Sequence, residues 1–168
     1  MSTPNVKEAA QPVLDDFRHA MRRVAGGVAL VTTADGEGNR YGIAMTAFMS
    51  LSFEPPSLVM AVNRTASIHA PLLCIGAFCV NVLAADQEAL CRDFAARPSR
   101  DRFGVGEWLA DSGGIPYLRG AQANIFCTLD SHQPSGSHDV IVGLASAVFN
   151  HDEIKPLIFV DGRYGAMA

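Results

Sequence analysis

Three groups of residues have the types and spacing for chemistry. The first is Thr46, Ala47, Ser50 and Ser52, within the run YGIAMTAFMSLSFEPP at residues 41–56. Inward positions of a buried strand are ordinarily filled by large branched side chains. Small side chains and hydroxyls here leave room for something flat and offer it hydrogen-bond donors, although the same residues would also suit the solvent face of an edge strand. The second group is Asn63-Arg64-Thr65-Ala66-Ser67, where a strand gives way to a short helix. Hydroxyls and a guanidinium beside free backbone N–H groups suit an anion such as phosphate. The alternative use of Thr65 or Ser67 is to cap that helix. The third group is the histidines: His132 and His138 near a hairpin end, and His69. A lone histidine in a hairpin is more often hydrogen-bonded or on the surface than catalytic.

The elements that must position these groups follow from period and punctuation. Val13, Leu14, Phe17, Ala20, Met21 and Val24 recur at steps of three and four, predicting a helix over 7–24 that Gly26-Gly27 ends. Arg18, Arg22 and Arg23 read as its solvated face. A strand over 28–34 and a loop rich in Asp, Gly and Asn make a hairpin with the strand beginning at Tyr41. In that loop Asp35 and Glu37 are turn residues rather than an acid–base pair. Residues 41–56 read as one extended strand stopped by Pro55-Pro56. Strands are expected over 57–63, apolar enough to be central, and over 77–83. A helix capped by Asp86 follows over 86–95. Residues 97–116 read as one long irregular connection carrying Arg102, Phe103 and Trp108, aromatic enough to be functional. A second hairpin pairs 121–133 with 139–149, and a last strand leads to Tyr164.

Six or seven strands with hairpin connections and few helices predict an antiparallel barrel or sandwich with helices outside it. At 168 residues the chain is expected to form one domain over 1–168. Apolar residues make up 49% and charged residues 18%, a balance unlike disorder and suited to burying a subunit interface as well as a core. Net charge is −4 with no basic run, which speaks against nucleic acid. Cys74, Cys79, Cys91 and Cys127 lack CxxC spacing or a histidine at zinc-ligand spacing, so they read as reduced thiols and no metal is expected. The first ten residues lack the basic start and apolar core of a signal peptide, and no apolar run approaches the roughly 18 residues of a bilayer span. The expectation is a cytoplasmic protein. No GxGxxG follows a strand, and GxxxxGK with Ser or Thr, GxSxG and HExxH are absent, which removes the main support for four common enzyme classes.

The motifs GGVALVTTADGEG, GIAMTAFMSLSFEPPSLV, NRTASIHAPL, FCVNVLAADQEAL, DRFGVGEW followed by GGIPYLRGAQANIFC, and GSHDVIVG occur in this order. As an ordered set they resemble the flavin reductase family, the small components that supply reduced flavin to two-component monooxygenases. The resemblance covers about residues 17–165. It implies an antiparallel Greek-key split β-barrel with peripheral helices, a homodimer, FMN or FAD as flavin, and NADH or NADPH as hydride donor. It also implies a flavin-dependent monooxygenase as partner, reached by diffusible reduced flavin. Carried over by position, the flavin ring lies against Met45, Thr46 and Ala47 and the turn near Ser50 and Ser52. Its phosphate lies by Asn63, Arg64, Thr65 and Ser67. Arg102 and Phe103 match a pair near the flavin, Tyr164 matches an aromatic residue beside the site, and His138 matches the histidine of the family's GDH signature at the nicotinamide site. There the family's acidic residue is replaced by Ser137, and Asp139 follows. The same barrel resembles pyridoxamine-phosphate oxidase relatives, so an enzyme with tightly held FMN, or a non-catalytic flavin or haem module, are the other classes the resemblance allows.

Overall fold

The computed structural model describes residues 6–167. The domain limits expected from sequence include residues 1–5 and 168, and the expected absence of a leader concerns the first residues; both reach outside the described residues. The elements are α1 (Val6–Met21), β1 (Gly26–Gly27), β2 (Ala29–Ala34), β3 (Arg40–Met45), β4 (Phe48–Phe53), β5 (Pro56–Asn63), α2 (His69–Ile75), β6 (Ala77–Val82), α3 (Glu88–Ala96), β7 (Trp108–Ala110), β8 (Pro116–Leu118), β9 (Ala123–Ser135), β10 (His138–Asn150), β11 (Ile158–Val160) and β12 (Arg163–Gly165).

Seven strands form one antiparallel sheet in the order β3-β2-β6-β9-β10-β5-β4. The two edge strands of that sheet, β3 and β4, are consecutive in the chain and separated only by Thr46 and Ala47. Two residues reach no more than about 10 Å from Met45 to Phe48. The sheet must therefore curl until its edges meet at that corner, which makes it a barrel. Residues 41–56 are thus two strands at opposite edges rather than the single strand expected, and small side chains at 46–47 are what let the chain turn from one edge to the other. Consecutive strands β5 and β6 are kept apart by the β9–β10 hairpin inserted between them, an interleaved rather than meandering order.

Alternation along the strands fills the barrel. Ala29, Val31, Met60, Val62, Phe78, Val80 and Ile141 form an interior cluster, and Ile68 and Leu72, fully buried at and within α2, plug it. Burial of each of the larger of these side chains contributes about 1.5–3 kcal/mol. The strand β5 alternates buried and half-buried positions and lies second from the edge, not at the centre as its apolar run suggested. By contrast β2 is buried throughout. Its other face meets a second cluster containing Leu30, Leu83, Cys91, Phe94, Leu118 and Leu157. This outer cluster attaches α3 and the β7–β8 hairpin, the short pair of strands found in what the sequence suggested was an irregular connection. Asn81 secures it from inside: its Oδ1 accepts hydrogen bonds from Leu118 N and Asn124 Nδ2, each at 2.8 Å, while its Nδ2 donates to Leu30 O.

Two smaller expectations also change. Asp86 does not cap α3; Gln87 does the local work, its Oε1 accepting from Ala84 N at 2.9 Å. The first helix ends at Met21, and the Gly26-Gly27 pair that was to stop it forms β1 against β11. The exposed Arg22 reaches Asp161 at 2.8 Å, tying the helix end to the β11–β12 turn. Among the described residues the apolar face of α1 has no counterpart: Val13 and Phe17 remain more than half exposed, as does Val24 just beyond the helix. No helix among the described residues is long and apolar enough to cross a membrane.

Candidate functional site

The corner where the barrel edges meet is open. Thr46 and Ala47 are exposed, and their carbonyls accept from Phe48 N and Ala61 N at 3.0 and 2.9 Å. With their backbone oxygens so engaged and no large side chain standing over them, a planar molecule can lie against this segment. Met45 is half-buried against the barrel interior. A bulge between Ser50 and Ser52 shifts the β4–β5 register. Ser50 is exposed, whereas the Ser52 hydroxyl is engaged with Glu54 N and O at 3.0 and 3.1 Å.

From Ala47 the site continues along β5. Ala61 lies across from Ala47, and Asn63 is two residues further on. Strand rise and strand spacing put Asn63 about 8 Å from Ala47. Asn63 Oδ1 accepts from both Thr65 N and Thr65 Oγ1 at 2.9 Å, shaping the turn. Arg64 is bound to the tip of the β9–β10 hairpin, its N donating to Ser137 O at 3.0 Å and its Nη2 to Gly136 O. His138 pairs directly with Asn63 in the β10–β5 ladder, and its Nδ1 lies 2.9 Å from Ser137 Oγ. The residues thought to bind phosphate and the histidine of the nicotinamide signature are therefore neighbours. The capping alternative fails: the N-cap of α2 is Ile68, without a side-chain bond. Neither Thr65 nor Ser67 is spent there.

Beside His138 the structure assembles a cluster that the sequence reading missed. Asp139 Oδ2 accepts from His69 Nε2 at 3.1 Å and from His132 Nδ1 at 3.2 Å. Asp139 is 3% exposed, and its Oδ1 has no hydrogen-bond partner. Burial alone would raise its pKa; the hydrogen bonds and charges of the two histidines outweigh that and hold the carboxyl below its ordinary value of 3.8. The signal was available: on β10 Asp139 shares the inward face with Ile141, and a carboxylate there demands partners.

Arg102 and Phe103 meet β3 at Gly42, and Tyr164 packs on the outer cluster. Arg102 Nη1 donates to Gly42 O at 2.6 Å, and burial lowers the pKa of its guanidinium. Phe103 is buried against Phe94 and Trp108, with ring centroids 5.8 and 4.8 Å away. Gly42 makes that packing possible, since a Cβ there would lie 2.7 Å from Phe94 Cζ and 3.3 Å from Phe103 Cζ. Tyr164 packs on Phe159 and under the Arg92 guanidinium, with its hydroxyl 3.6 Å from Cys91 Sγ. Among the described residues no His, Cys, Asp and Glu group has the arrangement to hold a metal ion.

Residues 21–168 match the family described as flavin reductase like domain. The chain belongs to the flavin reductase-like family. It is 37% identical over 162 residues to the FMN reductase (NADH) RutF of Variovorax paradoxus, covering 95% of this chain and 89% of that one. Identity is 36% to the reductase component of the FADH(2)-dependent resorcinol hydroxylase of a Rhizobium species, over 94% of this chain and 89% of that one. Among solved structures, the NADH:FAD oxidoreductase of Streptomyces globisporus, in complex with NAD and FAD fragments, superimposes with a TM-score of 0.84 at 25% identity, over 100% of this chain and 98% of that one. The barrel whose edges meet at Thr46-Ala47 is thus the split barrel of flavin reductases. The expected fold class, mainly antiparallel β with peripheral helices, stands.

Proposed function

We propose that this flavin reductase-like chain oxidises NADH and reduces FMN or FAD, and that the reduced flavin serves a partner monooxygenase. The observation that carries the reading is the continuity of the site. An exposed corner of small residues at Thr46-Ala47, a loop at Asn63–Ser67 and His138 opposite Asn63 lie in sequence along two barrel strands. Flavin accepts a hydride equivalent, so the chain's task is to hold two flat rings in register. Met45, Thr46 and Ala47 form the surface against which the flavin ring lies, with Ser50 at its margin and Ser52 bracing the turn beyond. Asn63 shapes the phosphate loop, while Arg64, Thr65 and Ser67 face the phosphate. His138, held through Ser137, orients the nicotinamide. Arg102 and Phe103 stand near the flavin, and Tyr164 beside the site. No acid–base dyad is required, because the proton that completes flavin reduction comes from solvent.

NADH is the donor named for relatives; use of NADPH is open to the same site, which has the nicotinamide in common. The subunit is a homodimer, a reading supported by Met49, Leu51 and Phe53, exposed on edge strand β4, and by the bare face of α1. Reduced flavin leaves by diffusion, as the open corner permits. Four unpaired thiols suit a cytoplasmic setting. The test is anaerobic: catalytic amounts of protein with NADH should bleach a many-fold excess of flavin, one NADH per flavin. Protein that binds flavin yet stays inert toward NADH and NADPH would show a binding module instead.

A further inference from the structure

A second recess begins where the phosphate loop ends. It has a volume of about 400 Å³ and is lined by Arg40, Tyr41, Ser67, Ser99, Arg100 and Phe103, with the Gly38-Asn39 turn at its rim. That size falls within the range of about 300–1,000 Å³ usual for small-molecule pockets and is more than a lone phosphate fills. Its chemistry is cationic and aromatic together. The Arg40 guanidinium lies 4.7 Å from the centre of the Phe103 ring and has no carboxylate partner among the described residues. Arg100 lies 3.6 Å from Asp101, which offsets part of its charge. The Tyr41 hydroxyl is spent on Asp35 at 3.1 Å, so Asp35 stands behind that wall of the recess. The hydroxyls of Ser67 and Ser99 make no hydrogen bond to the described residues and are available to a ligand.

We infer that this recess takes the adenosine phosphate half of FAD, making the chain a reductase that prefers the dinucleotide flavin to FMN. The inference rests on the flavin reading above and deepens it. If the first phosphate sits against Arg64 and Thr65, Ser67 is two residues further along the same loop and already on the rim of the recess. A second phosphate joined to the first enters between Ser67 and the arginines. A guanidinium stacked on an aromatic ring continues as a surface for a purine, whose face tolerates either partner. FMN has nothing to place there.

The experiment is a titration of purified full-length protein with FMN and with FAD, repeated on Arg40→Gln, whose side chain is exposed and makes no structural ion pair. Wild type should bind FAD at least about tenfold more tightly than FMN, as one charge-assisted contact and one stacking contact imply. Arg40→Gln should lose about tenfold for FAD and stay within twofold for FMN, at an unchanged melting temperature. AMP should displace FAD and not FMN. Arg100→Gln provides a second, independent variant with the same expected pattern in smaller degree. Equal weakening of both flavins, or of neither, overturns the inference while leaving the reductase reading in place. A raised KM for NADH with unchanged FAD affinity overturns it also and assigns the recess to the nicotinamide dinucleotide. If wild type binds neither flavin, the reductase reading falls and this inference with it.

Discussion

His69 Nε2 lies 3.1 Å from Asp139 Oδ2, joining the plug helix of the barrel to strand β10, which carries His138. Because a carboxylate only accepts, the histidine N–H donates. Asp139 is held below its ordinary value of 3.8 in the fold, so its ionised form stabilises the folded state above that value and the contribution is lost as pH falls through the lowered one. Asp139→Asn is therefore expected to lower the melting temperature at pH 7 and to flatten the loss of stability below about pH 4. Thermal melts from pH 3 to 7 check this; parallel pH curves for the two proteins would contradict it.

His138 faces the other way from Asp139, at the rim beside Asn63. His138→Ala should raise the KM for NADH about tenfold, the value of one lost contact to a polar ligand, with flavin affinity changed less than twofold. Steady-state kinetics varied in each substrate separate the two effects, and wild-type kinetics would remove His138 from the site.

Ala47 is exposed, so a larger side chain costs the fold little, within about 0.5 kcal/mol as for surface positions generally. Ala47→Leu would nonetheless occupy the space proposed for the flavin ring. Flavin affinity should fall at least about tenfold while the melting temperature holds. An unchanged titration would move the ring elsewhere.

The interior offers a test of packing. A Cβ on Gly143 would lie 2.5 Å from Phe78 Cζ and 3.1 Å from Cys127 Cβ. Phe78 is 1% exposed and packed within the barrel core. Gly143→Ala should destabilise by about 1–3 kcal/mol, the usual cost of overpacking, read from urea unfolding; stability equal to wild type would mean that the ring relaxes freely.

Thiol reactivity provides a further check. Cys74 is exposed, while Cys79, Cys91 and Cys127 are buried. Burial raises the pKa of each of these three, that of Cys127 to about 12, so none is a thiolate at neutral pH. A chromogenic disulfide reagent should titrate one thiol rapidly in native protein and four in denaturant. A second fast thiol would place one of the buried three at the surface.

What the sequence made legible was what local chemistry encodes. Asp35 was read as a turn residue and accepts from Glu37 N, Asn39 N and Asn39 Nδ2. The Pro134–Ser137 turn does close a hairpin, at Ser135 and His138. The corner at Thr46-Ala47 was invisible as a corner because those residues carry no turn signal; closure of the sheet bends the chain there. Trp108 and Leu118 pair in a hairpin that was hidden by glycines around it and by its dependence on Asn81, 37 residues from Leu118. His69 and Asp139 are 70 residues apart, and only the inward direction of Asp139 on its strand hinted that partners must exist.

The proposed reaction is hydride transfer from NADH to flavin at the Thr46-Ala47 corner. Its most direct test is the initial rate of NADH oxidation with FMN, with FAD and with no flavin, for wild type beside Ala47→Leu. The rate should require and saturate with added flavin, and Ala47→Leu should raise the apparent KM for flavin. A rate independent of flavin, or no rate with any flavin from folded protein, would contradict it.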